Sequence, residues 1–335
     1  QRKNSKNKGS CQIDFLILHA IELQNTRFDY YFIKENCSYH LLSLIEAAVV
    51  DVDLTDAFDA WTLPIEVIKL LHQNGLLASR YFYPSLQSKI GQQVNTLDET
   101  ELKFSYDLLG SRLSVEDKRF TRLPSELQAR ILDLVADVLH YKRLSTDFNA
   151  NAITEQEQAI LLSRSRIPVT TAVQSVVTPE DFPENSHDSS SLSFAAGRVY
   201  KQNSYDLSWR AGYHEFLDAS AGHSRLASIR GFSASLRYVE PSEHWLLQSL
   251  TLLDIHALHP RESFFNKPSW RAGVNWERVK NDLARDRGRT RLHAGFGSSY
   301  AYLQERVIFF GFADVALDYA GYLQQAYSLR PGLSF

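Results

Sequence analysis

Near residue 190 the hydrophobic period of this chain changes, and that change limits the fold more than any other feature. Before it, apolar residues recur at helical spacing; after it, they alternate one by one. Ile13, Leu16, Leu18, Ile21 and Leu23 predict a first helix, and Leu41, Leu42, Leu44, Ile45 and Ala48 a second. Pro64 opens a third, with Val67, Leu70, Leu71 and Leu76 apolar and Gly75 as its stop. Ser114 followed by Asp117 is a capping signal, and Pro124 opens the longest helix, along which Leu127, Ile131, Leu134, Val135, Val138 and Leu139 recur.

Residues 168–191 are rich in Ser, Thr, Pro and Asp and read as a linker or lid. Beyond them Tyr205, Leu207, Trp209, Ala211 and Tyr213 alternate with polar residues or glycine. So do Phe232–Tyr238, Trp270–Trp276 and Leu292–Tyr300. Further strands fit 192–199, 246–255, 307–319 and 322–329. The expected class is α+β: a mainly helical domain over 1–165, a linker over 166–190 and an antiparallel β-domain over 191–335. Segments of about ten residues with one apolar, aromatic face match strands of an outer-membrane barrel, and eight of them could close with no free edge. The terminal aromatic residue, Phe335, suits that reading. A soluble sheet with one buried face gives the same alternation, so both readings stand at this point.

The 335 residues suffice for two domains. The formal charge of -3, from 36 basic and 39 acidic residues spread along the chain, offers no footprint for nucleic acid. A hydrophobic share of 44% argues against disorder, and no apolar run reaches the roughly 20 residues of a spanning helix. The chain opens QRKNSKNKGS and contains no methionine, so it is expected to be an N-terminally truncated piece of a longer protein.

The stretch most able to carry chemistry is Phe28–Ala48. An aromatic run (Tyr30, Tyr31, Phe32) leads into Glu35-Asn36-Cys37, and a helix follows at once. That puts Cys37 in a first turn, where free N–H groups and the helix dipole favour a thiolate nucleophile. A small buried thiol, or a disulfide with Cys11, is the plainer alternative. His40 lies on the same helical face as Cys37. His19 falls inside the preceding apolar helix. The histidines show no metal-ligand spacing and no Gly-rich phosphate loop is present, so no metal or cofactor is expected.

Tyr30, Tyr31, Asn36, Cys37, Ser38, Tyr39, Leu41 and Leu42 together resemble the signature of the Lnb N-terminal periplasmic domain family, and the flanks Phe15–Leu23 and DLTDAFDAWTLPIEVIKLL continue the resemblance. The β-half, with LLDIHALHPRESFFNKPSWRAGV, resembles the C-terminal domain fused to this family in many Gram-negative bacteria. The resemblance implies a permuted papain-like thiol fold and N-acyl transfer through a thioester. It makes Cys37 the nucleophile and its own backbone N–H an oxyanion-hole donor, with Asn36 a supporting residue; His40, three residues on along the same helical face, is a weak candidate for the base. The family's histidine lies in a segment upstream of the cysteine that has no counterpart here. His187, in Asn-Ser-His-Asp, resembles a recurring element of the fused family and could face the helical domain, or be a solvated loop histidine.

Two functions follow as expectations. One is a thiol acyltransferase or amidase-like hydrolase of the cell envelope, acting on a lipid, an acylated group or a peptide and anchored at the outer membrane. The other is a non-catalytic structural or transport protein with a degenerate cysteine domain. Without its histidine the chain is expected to be a weak or inactive enzyme, and robust thioester formation by the isolated chain would contradict this.

Overall fold

The computed structural model describes residues 2–31, 33–49, 52–145, 150–171, 181–199, 201–240, 244–262, 264–280, 286–302, 305–320 and 323–334; at 2–11, 150, 280, 286, 320 and 323–334 it describes backbone alone. Among the described residues eight α-helices precede eight strands. The helices are α1 (Arg2–Leu23), α2 (Cys37–Ala48), α3 (Pro64–Gln73), α4 (Leu86–Thr96), α5 (Glu99–Leu109), α6 (Lys118–Thr121), α7 (Ser125–Ser145) and α8 (Ala150–Ser165). The strands are β1 (Ser191–Val199), β2 (Gln202–His214), β3 (Ala227–Val239), β4 (Leu246–Ala257), β5 (Ser269–Lys280), β6 (Asp286–Tyr302), β7 (Val307–Ala320) and β8 (Leu323–Ser334).

The chain forms two compact units. One comprises Gln1–Ser79, Glu180–Arg261 and Asn266–Phe335; the other comprises Arg80–Pro179 and Glu262–Phe265. The division differs from the expected single helical domain over 1–165, because the helices gather around two separate cores. Of the expected linker over 166–190, residues 172–180 lie outside the described residues, while 166–171 and 181–190 are described.

In the second unit, α7 is central. Its Ile131, Leu132, Val135 and Leu139 pack with Leu108, Phe120 and Ile160, while Leu134 and Val138 meet Ile90 and Phe265. A helix apolar on two sides is a buried helix, which the expectation of a single apolar face along α7 did not reach. Ser85 caps α4 by accepting from the Ser88 N–H, and a reciprocal capping box of Asp98 and Glu101 starts α5. Asp117, rather than Ser114, caps α6.

In the first unit, Leu42, Leu54, Phe58, Val67 and Leu71 form a small helical core. Glu46 stitches it together by accepting from the Leu54 and Thr55 N–H groups at 2.9 and 2.8 Å. Burial raises the pKa of this carboxyl, but the hydrogen bonds it accepts outweigh burial and hold it below the ordinary value. Gly75, at a φ of 68°, ends α3 with the expected stop: its N–H donates to His72 O and that of Leu76 to Leu71 O.

The strands form one antiparallel meander in sequence order, β1 to β8. No pairing of β8 with β1 occurs among the described residues. The sheet carries its polarity the unusual way round. Along β7, Phe312, Asp314, Ala316 and Asp318 are buried, whereas Val315, Leu317 and Tyr319 are exposed. Leu192, Phe194, Trp209, Phe232, Leu250, Leu292, Phe296 and Phe309 are likewise exposed on their strands.

The opposite face is held by charge pairs along the register. Arg237 meets its cross-strand partner Asp206 at 2.6 Å, and Arg291 meets Asp318 at 2.6 Å. Arg271, Gly295 and Asp314 stand in one row across β5, β6 and β7, and Arg271 Nε reaches Asp314 over the glycine at 2.8 Å. A Cβ at Gly295 would lie 1.9 Å from Asp314 Oδ1, so the pair exists only because that side chain is missing.

Gly295→Ala is therefore expected to cost about 1–3 kcal/mol in chemical denaturation, because the added methyl overpacks the row and splits the pair. Gly91→Ala is the control. It sits inside α4 with nothing within 4 Å of the new methyl, and helix propensity makes it neutral or stabilising by up to about 1 kcal/mol.

Candidate functional site

The Cys37 site is built from its helix start outward. Asn36 is extended, with φ −90° and ψ −176°, and its Oδ1 accepts from the Ser38 and Tyr39 N–H groups at 3.0 and 3.3 Å. Its Nδ2 donates to Thr62 O at 2.7 Å, and the Thr62 N–H donates to Ile33 O at 2.8 Å. One amide thus caps α2 and ties it to the segment before α3. Asn36 and Thr62 are both buried, so the start of the helix is fixed while Cys37, its first residue, is exposed with a free thiol. The side chain of Cys11, the expected alternative partner, lies outside the described residues.

The cap occupies the N–H groups of Ser38 and Tyr39 and leaves that of Cys37 with no partner among the described residues. The free donor sits beside the sulfur, where an oxyanion hole needs one. The ring of His40 lies against Phe28 at 4.8 Å, tilted by 37°, and meets Tyr39 edge-on at 6.0 Å. Its Nε2 is buried with no hydrogen-bond partner among the described residues. Among the described residues no hydrogen bond reaches Cys37 Sγ, from His40 or from any other group. His19 pairs with Glu22 at 3.3 Å. A cleft of about 470 Å³ is lined by Trp61, Glu66, Lys69 and Asp188; Cys37 does not line it.

Three histidines that no local spacing links come together elsewhere in the same unit. His214 ends β2, His223 lies in the turn before β3, and His187 follows the short helical turn Pro183–Asn185. Their candidate ligand atoms all lie within 4.8 Å of one another. The rings of His214 and His223 stack at 4.3 Å with 2° between planes, and His187 stacks on both, at 5.2 and 4.8 Å. His187 Nδ1 contacts Asp188 O at 2.7 Å and its Nε2 contacts His214 Nδ1 at 2.9 Å. A carbonyl only accepts, so Nδ1 of His187 carries a proton, and with a neutral His187 ring His214 Nδ1–H donates to His187 Nε2.

The surrounding contacts draw these segments together. Lys69 pairs with Asp188, and Ser189 N–H donates to Glu66 at 3.1 Å, which binds the 187–189 strip to α3. Gly222, at a φ of 69°, lets the turn close on Pro183, whose Cα would be 2.6 Å from an added Cβ. Asp218, 3.8 Å from His187 Nε2, is held by Arg210 at 2.8 Å. Sequence reasoning placed His187 at the linker's end but did not join it to the other two. The β2–β3 turn that brings in His214 and His223 carries no spacing motif.

Burial pushes the pKa of His223 down from 6.5 to about 4; His214 and His187 add to the shift and Asp218 opposes it. The folded protein thus refuses a proton that the unfolded chain takes up below pH 6.5. The stability tied to His223 is full above about pH 6.5, declines as pH falls towards 4 and is constant below. Measured with chelator present, the difference in Tm between wild type and His223→Gln is expected to change across that window; a difference independent of pH would count against it. At the other site, Asn36→Ala is expected to cost about 1 kcal/mol for the cap and more for the buried Thr62 carbonyl it leaves unpaired. Asn36→Asp, which keeps the cap and loses only the donor, is expected to cost less in the same denaturation experiment.

Comparison with known families divides the chain in much the same way as its structure does. Residues 81–176 match a domain of unknown function (DUF7842) and residues 180–335 match a second (DUF7840). No curated protein and no solved structure matches the chain. Residues 7–74 match the Lnb N-terminal periplasmic domain, and over that stretch, which contains Asn36, Cys37 and His40, the chain is similar to the family.

Proposed function

We propose that this is a cell-envelope protein of a Gram-negative bacterium, in which Cys37 serves as the nucleophile of a thiol acyltransferase or amidase-like hydrolase. The observation that carries this reading is an exposed sulfur on the first turn of a helix whose cap is buried and pinned on both sides. The thiolate would attack an acyl carbonyl and expel the alcohol or amine, giving a thioester. An amine or water would then take the acyl group and release the thiol. The N–H of Cys37 would donate to the oxyanion. The similarity of residues 7–74 to a periplasmic domain supports a periplasmic position and the permuted papain-like arrangement.

The sheet supports an outer-membrane seat. A soluble sheet turns its apolar face inward; this one turns Leu, Phe, Tyr and Trp outward and pairs Arg with Asp on the other face. Eight strands match the smallest closed barrels, and the two outer strands would otherwise leave unpaired backbone, a liability that closure removes. None of the described helices is long and apolar enough to cross a membrane.

The second reading is a non-catalytic outer-membrane protein with the cysteine domain as a scaffold. The lack of any hydrogen bond to Cys37 Sγ among the described residues favours it. Labelling by a thiol-reactive acyl probe separates the two: the enzyme reading expects selective labelling lost in Cys37→Ser, and labelling no faster than that of a surface thiol would leave only the scaffold. The membrane seat expects extraction by detergent but not by high salt. It also expects Val315→Arg, on the outward face, to cost about 2–4 kcal/mol near mid-membrane, against almost nothing on a surface facing water.

A further inference from the structure

We propose that His187, His214 and His223 form a binding site for a divalent transition-metal ion, with Zn2+ the best match to their chemistry. Three imidazoles from three separate segments, with ligand atoms within 4.8 Å of one another, supply an all-nitrogen donor set. Imidazole suits Zn2+, Cu2+ and Ni2+, whereas Ca2+ and Mg2+ require oxygen ligands. Three protein ligands and an open fourth position are also the usual arrangement around a zinc ion that keeps a water.

Two details beyond proximity point to a ligand. The Nδ1–H of His187 donates to the Asp188 carbonyl, and Asp188 is itself held by Lys69. Metal-binding histidines use their second nitrogen in this way, which fixes the tautomer and leaves the other lone pair for the ion. His187 Nε2 currently spends that lone pair on the His214 proton, 2.9 Å away. The second detail is His223 Nε2, which is buried with no hydrogen-bond partner among the described residues. An unpaired buried ring nitrogen is costly, and an ion would satisfy it.

The fit requires only small movements. Nitrogens around a tetrahedral zinc stand about 3.3 Å apart, from bonds of about 2.0–2.1 Å. The closest pair must open slightly and the widest must close. The rings stack nearly parallel, so each must turn about its Cβ–Cγ bond to aim a lone pair at one point, a soft torsion for histidine. His214 must move its proton from Nδ1 to Nε2, which leaves all three rings neutral. The Asp218 carboxylate, 3.8 Å from His187 Nε2, is placed to offset the ion's charge or to receive a hydrogen bond from its water. Bound there, the ion would clasp the strip that follows Pro183–Asn185 to the β2–β3 turn.

The test uses the full chain with Cys11→Ser and Cys37→Ser, which removes the thiols as competing ligands and makes the result independent of the proposed enzyme. After treatment with chelator and its removal, ZnCl2 is titrated calorimetrically and Tm is followed with and without the metal. The expected result is one ion per chain, a rise in Tm, and loss of both in the His187→Gln/His223→Gln double variant. Co2+ is expected to give the intense visible bands of a tetrahedral site. Should the double variant fail to fold, His223→Gln alone, in the exposed turn, is expected to weaken binding at least tenfold. The absence of stoichiometric binding by the histidine-intact chain, or unchanged affinity in the variants, overturns the proposal.

Discussion

The β-domain depends on charge pairs that lie across the strands with nothing between them. A buried guanidinium or carboxylate is tolerated only when paired, and each pair here occupies neighbouring register positions or spans a row cleared by glycine. Arg271 and Asp314 could not meet if Gly295 carried a side chain. The pairs fix register, since sliding one strand by a single residue would place each arginine on the apolar face. They also decide which face can be apolar: once charges and serines fill one side, the aromatic and aliphatic residues are left on the other. An exposed apolar face is costly in water and favourable in lipid.

At Cys37 the governing contact is again one polar group used twice. Asn36 satisfies two N–H groups of α2 and one carbonyl of the segment just before α3. An aspartate could cap the helix equally well but could not donate to Thr62. That distinction separates an ordinary N-cap from one that also sets the position of the following residue relative to the loop at 62. A nucleophile gains from such fixing because misplacement by an ångström is expensive in catalysis. The arrangement positions the sulfur; among the described residues no base reaches it. His40, on the same helix, is engaged with Phe28.

Much of the architecture was legible because it is written in short-range periods. All eight strands were readable from alternation, although β3, β6 and β8 run several residues beyond the segments it marked, and Pro64 and Gly75 marked the bounds of α3 correctly, since φ constraints act locally. The signals at Ser85 and Asp98–Glu101 were also present in the sequence and would have divided the helical half further. What could not be read was which helices share a core: α3 and α4 are adjacent in sequence yet belong to different compact units, and apolar periodicity carries no information on partners. Alternation likewise gives two faces without saying which is buried. The answer came from Asp314, Asp318 and Arg271, whose pairing is a property of register between strands rather than of any one strand.

The three histidines show the same limit at the level of a site. A motif is legible when one element presents its ligands, as two histidines one helical turn apart would. Here each ligand candidate comes from a different piece of chain. They meet because Gly222 lets the turn fold against Pro183, and because Lys69 and Glu66 hold the residues around His187. Stacked imidazoles gain little from one another unless they stay neutral, and burial here opposes protonation of His223. Neutral, clustered and partly unsatisfied imidazoles are the form that binds a metal cation. The cost of gathering them is borne by contacts that have no other evident task, and it falls at the junction where the β-domain begins.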